Sequence, residues 1–93
     1  MPAKSPKMYI DGKWVDSSSG KTFEDHNPYT GDVYANVPAG NAEDARSAID
    51  AAKAAFPEWA ATPPAAKRQI FLKAADVMES RQDDLVQAMM EEV

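Results

Sequence analysis

The sequence predicts an α+β chain, two β-hairpins followed by three helices, and three observations predict it. The apolar period is 2 up to Pro38 and close to 3.6 from Asn41 onward. Asp11-Gly12 and Thr30-Gly31-Asp32 interrupt the first part where hairpin turns belong. Capping signals at Asn41, Thr62 and Ser80 divide the second part.

Taken in order, residues 1–7 (MPAKSPK) are polar with two prolines and read as a flexible leader. MYIDGKWVD sets Asp11-Gly12 between two short apolar runs, and Asp-Gly accepts the positive φ angles of a type I′ turn. SSSGK (17–21) is a loop and TFEDH (22–26) a strand. Asn27-Pro28 ends that strand, because proline has no N–H for a ladder. Val33 to Val37 alternates as the return strand and is closed by Pro38 and Gly40.

The first helix is expected over 42–56. Asn41 is its N-cap, and Glu43 and Asp44 sit where the helix dipole favours anions. Ala45, Ala48, Ile49, Ala52 and Phe56 form its stripe, and Pro57 should stop or kink it near Ala55. Trp59 falls in a connector. A second helix is expected over 63–79, capped by Thr62 with Pro63 at its first position, and striped by Ile70, Phe71, Ala74, Ala75 and Met78. Ser80-Arg81-Gln82-Asp83 reads as a capping box opening a third helix over 81–92, with Leu85, Val86, Met89 and Met90 on one face. That helix meets Val93 with no glycine, proline or basic turn to stop it, so the expectation is a chain truncated after Val93.

Composition limits what 93 residues can do. The 44% hydrophobic content includes 17 alanines, which favour helix but fill little core. A net charge of −5 argues against a nucleic-acid surface, and no apolar run reaches the length of a membrane span. With no cysteine, this chain holds no disulfide, zinc thiolate or cysteine nucleophile. A cytoplasmic chain is the expectation.

Each candidate motif has a plainer reading. SGKT (19–22) resembles the tail of a phosphate-binding loop, but Val15 stands where that motif requires a glycine. His26 is the only histidine, and Asp25 beside it along a strand points to the opposite face, so it reads as structural. Asp83-Asp84 and Glu91-Glu92 are adjacent on a helix and share no face, which makes them solvated surface rather than acid/base pairs. Phe56, Trp59, Phe71 and the methionine pair read as core stripes rather than a ligand pocket. These stripes are more than two small hairpins can cover, so a missing partner surface is expected. No catalytic, cofactor-binding or metal residue is assigned within the chain.

In the order YIDGKWV (9–15), TFEDHNPYTGDVYANVP (22–38), AEDARSAIDAAKAAFPEWAATPP (42–64) and RQIFLKAADVMESRQDDLVQAMMEE (68–92), the chain resembles the N-terminal end of the aldehyde dehydrogenase superfamily. Tyr29 after Asn-Pro and His26 before it depart from the commoner residues and look like the benzaldehyde or vanillin dehydrogenase branch. The resemblance implies an α/β parent enzyme several times longer, with residues 8–93 the first part of its cofactor-binding domain. It also implies oxidation of an aldehyde, aromatic in this branch, to a carboxylic acid with NAD or NADP. A cysteine thiolate attacks the aldehyde, hydride leaves to the cofactor, and a glutamate-activated water hydrolyses the thioester. Those reacting groups lie outside residues 1–93, so the chain by itself is expected to be inactive and to bind no cofactor. The implied partners are the remainder of the polypeptide, a small aldehyde and further copies of the enzyme, with no nucleic acid or membrane. A stand-alone, non-catalytic interaction or self-associating module is the alternative. In some family members the backbone before Asn-Pro helps hold a cation; Asp25 and His26 match those positions, but no site is assigned to them.

Overall fold

The computed structural model describes residues 3–93. Strands β1 (Met8–Ile10), β2 (Lys13–Val15), β3 (Thr22–His26) and β4 (Val33–Pro38) precede helices α1 (Ala42–Ala61), α2 (Pro64–Ser80) and α3 (Gln82–Glu92). The strands form two separate antiparallel pairs, β1 with β2 and β3 with β4. The expected α+β arrangement is therefore the one observed.

Each hairpin follows from its turn. Asp11 and Gly12 both have positive φ (53° and 73°), which twists the chain to match the strands it joins. That pairing sets Tyr9 opposite Trp14, their ring centroids 4.7 Å apart on an exposed face. In the second hairpin the Asn27 side-chain oxygen accepts from the backbone of Tyr29 and Thr30, at 2.9 and 3.2 Å, and holds the Asn-Pro turn. Gly31, at φ 78°, turns the chain back, and its N–H reaches the Asn27 carbonyl at 2.8 Å. The register slips between Asp25 and His26 where this turn feeds into β3.

Residues 1–2 of the expected leader lie outside the described residues. The rest of it is tied down at Lys4, which pairs in parallel with Ala35. Its N–H donates to the Tyr34 carbonyl and its carbonyl accepts from Asn36, at 2.9 and 2.8 Å. β4 is thus bonded on both edges, which is why Ala35, at its centre, is the one buried apolar residue among those described.

The helix boundaries differ from the sequence reading in three places. α1 does not stop at Ala55: it runs through Pro57 to Ala61 and carries Trp59 in its last turn. Proline removes one donor near a helix end, and the turns on either side keep their own bonds. Thr62 does not cap α2. Its hydroxyl donates to the Glu58 carbonyl at 2.8 Å and so closes α1, while Pro63 precedes α2 with no side-chain cap. Ser80 forms no capping box either: its hydroxyl donates back to the Val77 carbonyl at 2.7 Å, and α3 begins after Arg81 without a side-chain cap. In both cases the hydroxyl finds a nearer acceptor in the helix just finished.

α1 packs on β1, where Met8 lies against Gly40 at 3.6 Å from a would-be Cβ. α2 and α3 bury no residue. The molecule measures 47 × 34 × 17 Å.

Candidate functional site

The one buried ionisable side chain among the described residues is Asp44, in the first turn of α1. Its Oδ1 accepts from the Ser18 N–H at 3.0 Å, and its Oδ2 accepts from the Asn41 N–H at 3.0 Å. The Ser17 hydroxyl, itself buried, is shared between Asp44 Oδ2 (3.0 Å) and the Ala39 carbonyl (2.7 Å). In return Asn41 Oδ1 accepts from the Asp44 N–H at 3.0 Å, completing a capping box. Asn41 Nδ2 also donates to the Ser18 hydroxyl at 2.8 Å. One carboxylate therefore clasps the 17–19 loop, the end of β4 and the start of α1.

Those donors, chiefly the Asn41 N–H and then the Ser18 N–H and the two serine hydroxyls, hold the Asp44 carboxyl below its ordinary 3.8 against the opposing effect of burial. A general base must titrate near the operating pH and keep an open lone pair for substrate. Asp44 stays ionised and its acceptors are taken, so its chemistry is that of a clasp. The sequence carried the signal, Asn-x-x-Asp at a helix start, but both acids of the first turn read there only as dipole partners.

A pyrophosphate group, as on a nicotinamide dinucleotide, needs free backbone N–H groups and no competing anion. The described residues do not fit it. At α1 the capping side chains already occupy the N–H groups and add a carboxylate. α2 opens on Pro63-Pro64, which have no N–H, and α3 opens on Asp83 and Asp84. In the SGKT loop the amides of Ser19, Gly20 and Lys21 are already bonded to Ser17 and Ser19, and that of Ser18 to Asp44.

A second polar cluster lies where α3 meets the second hairpin, around a cleft of about 310 Å³. Asn27 Nδ2 donates to Glu91 Oε2 at 3.1 Å, and Gln87 donates to the other oxygen at 2.8 Å. Lys4 lies over the Tyr34 ring, 5.1 Å from its centroid, and contact with Tyr34, mainly through a hydrogen bond, raises the lysine pKa above 10.5. Glu92 turns instead toward Asp25, and a hydrogen bond between the two carboxyl groups raises its pKa above 4.5. Glu91 and Glu92 thus engage different partners and form no acid/base pair. His26 is exposed, and its Nδ1 lies 3.1 Å from the Gly31 carbonyl, which fixes that nitrogen as the N–H donor. Among the described residues no three His, Asp or Glu side chains converge as metal ligands. Trp59 and Phe71 meet edge-on at 6.3 Å, with Lys67 over the indole at 5.0 Å. Met89 and Met90 remain exposed, so the expected core stripes close no core in this chain.

Residues 14–93 match the sequence pattern of the aldehyde dehydrogenase family. The chain is 44% identical over 84 residues to vanillin dehydrogenase of Pseudomonas sp. strain HR199, covering 90% of this chain and 18% of that protein. It superposes on a salicylaldehyde dehydrogenase from Pseudomonas putida G7, solved with salicylaldehyde, with a TM-score of 0.92. The identity there is 36%, over 97% of this chain and 19% of that one. It also superposes on an aldehyde dehydrogenase from Bacillus cereus, solved with NAD+, with a TM-score of 0.85 and 38% identity over 90% of this chain and 18% of that one. The chain spans under a fifth of the length of each.

Proposed function

This chain belongs to the aldehyde dehydrogenase family, and we propose that it forms the N-terminal segment of an NAD(P)-dependent enzyme that oxidises an aromatic aldehyde to the carboxylic acid. The observation that carries the reading is the match across residues 14–93, over a chain that corresponds to 18% of a vanillin dehydrogenase. The aromatic preference is supported by likeness to a vanillin and a salicylaldehyde dehydrogenase. In this proposal residues 8–93 are the first part of the cofactor-binding domain. A cytoplasmic location and a homo-oligomeric enzyme complete it.

The part played by these residues is scaffold. The Asp44 clasp fixes the start of α1 against the hairpin loop, and the apolar faces of α1 to α3 are available for the layers of an α/β domain to pack on. Bound nicotinamide cofactor would supply the hydride acceptor, held by residues beyond this segment.

The test is an absorbance assay of NAD+ and NADP+ reduction by the full-length gene product, with vanillin, salicylaldehyde and an aliphatic aldehyde. Turnover is expected with the aromatic aldehydes and none with residues 1–93 alone. A full-length product that oxidises no aldehyde overturns the reading, and an aliphatic preference overturns the aromatic part of it.

A further inference from the structure

The leader joins two hairpins that do not pair with each other. At one end Lys7 Nζ donates to the Asp16 carboxylate, just after β2, at 3.0 Å. At the other Lys4 lies along β4, its N–H on the Tyr34 carbonyl and its carbonyl on the Asn36 N–H. A parallel ladder would continue from the N–H of residue 6 to the Asn36 carbonyl. Residue 6 is proline, which has no N–H, so the pairing ends after one bridge. β3, by contrast, pairs with β4 at five positions.

We infer that residues 3–7 form a releasable strap, which lifts from the edge of β4 while the β3–β4 hairpin stays folded. Two backbone hydrogen bonds hold it there, and local opening is easier the fewer bonds and buried contacts a segment makes. Ala3 is half-buried and Lys4, Ser5, Pro6 and Lys7 are exposed, so no buried side chain adds to the hold. The remaining attachment is the Lys4 ammonium, 5.1 Å from the centre of the Tyr34 ring.

Release has two consequences. It bares the Tyr34 carbonyl and the Asn36 N–H, which turns β4 into an open edge. It also withdraws Lys4 from the cleft between the second hairpin and α3, where Lys4 is the one cation lining the wall beside Asp32 and Glu91. An open strap therefore leaves both acids without a counter-charge. Glu91 and Asp84 on α3 attract the Lys4 ammonium, so added salt should favour release. These contacts all lie within the described residues and do not depend on the activity proposed above.

Amide hydrogen exchange of the full-length gene product, resolved to single residues of β4, tests the strap. Asn36 should be protected about tenfold less than Ala35 and Val37, which pair with β3, and less again as salt rises. Pro6→Ala restores the missing donor and should slow exchange at Asn36 by about two- to tenfold. Lys4→Ala should speed it by about two- to fivefold and remove the salt response. Deleting residues 2–5 should leave Asn36 unprotected and Ala35 and Val37 unchanged. Equal protection at Asn36, Ala35 and Val37, no gain from Pro6→Ala, a salt response that survives Lys4→Ala, or loss of protection at all three residues on the deletion would each overturn the inference.

Discussion

Residues 4–44 and residues 45–93 solve the problem of local order by different means. In the first region polar groups satisfy one another, some within a single turn and some between segments 26 residues apart. Lys4 completes the edge of β4, Asn27 fills its own turn, and Asp44 collects donors from two loops and a helix start. In the second, three well-formed helices present their apolar stripes to solvent, with Ile49, Phe56, Phe71 and Met90 each more than 60% exposed. A hydrogen bond needs one matching partner, whereas hydrophobic stabilisation exists only where a second surface removes water. The first region therefore closes its polar groups among the described residues, and the second leaves its apolar stripes exposed there.

Asp44→Ala breaks the contrast most severely. The Ser18 and Asn41 amides lose their acceptor, and their hydrogen exchange should accelerate about ten- to hundredfold, as expected for half-buried donors left unpaired. Amides in α3 should not change. If exchange rose equally throughout, the two regions would be one cooperative unit.

Asn41→Ala removes half of the same box and should destabilise α1 by about 0.5–2 kcal/mol, read from its thermal melt. The matching change at the start of α3, Ser80→Ala, should have little effect there, since its hydroxyl caps nothing ahead of it.

Acid titration sharpens the contrast, because the two clusters respond with opposite sign. Asp44 is more acidic folded than unfolded. Its contribution is complete above pH 3.8 and is lost as the pH falls through its lower folded value. Glu92 is less acidic folded than unfolded, so its contact with Asp25 is strongest below pH 4.5 and is lost as the pH rises through its raised folded value. Amide chemical shifts followed downward from pH 6 should show the Asp25–Glu92 contact tightening before the Asp44 clasp opens. The reverse order would refute the assignment.

The exposed ion pairs should matter least. Lys7–Asp16 at 3.0 Å and Arg81–Asp84 at 3.6 Å lie one in each region, both well solvated. Lys7→Ala and Arg81→Ala should each change stability by about 0–1 kcal/mol, falling further in high salt. A larger effect from either would identify a network that the geometry does not contain.

What was legible in the sequence was whatever depends on neighbouring residues. Asp11-Gly12 specifies its turn because only certain residues adopt two positive φ angles in succession, and the change of period at Asn41 marks the passage from strand to helix. The misreadings occurred where two local partners competed. Thr62 and Ser80 each had a helix behind and a helix ahead, and sequence alone does not say which carbonyl or N–H lies nearer. Pro57 was read as a stop because its lost bond is visible in sequence, while the sufficiency of the bonds around it is not.

The sequence by itself determined the hairpins, the three helices, the lack of a thiol nucleophile and, through its order of segments, the family. Only the tertiary structure decided that Lys4 completes β4 and that Asp44 reaches back to Ser17 and Ser18, both across about 26 residues or more of chain. It also decided that the helical stripes find no cover within these residues. Propensity and turn chemistry act between near neighbours and are written in the residues themselves. Contacts between distant segments depend on how the whole chain folds back, which no local pattern specifies.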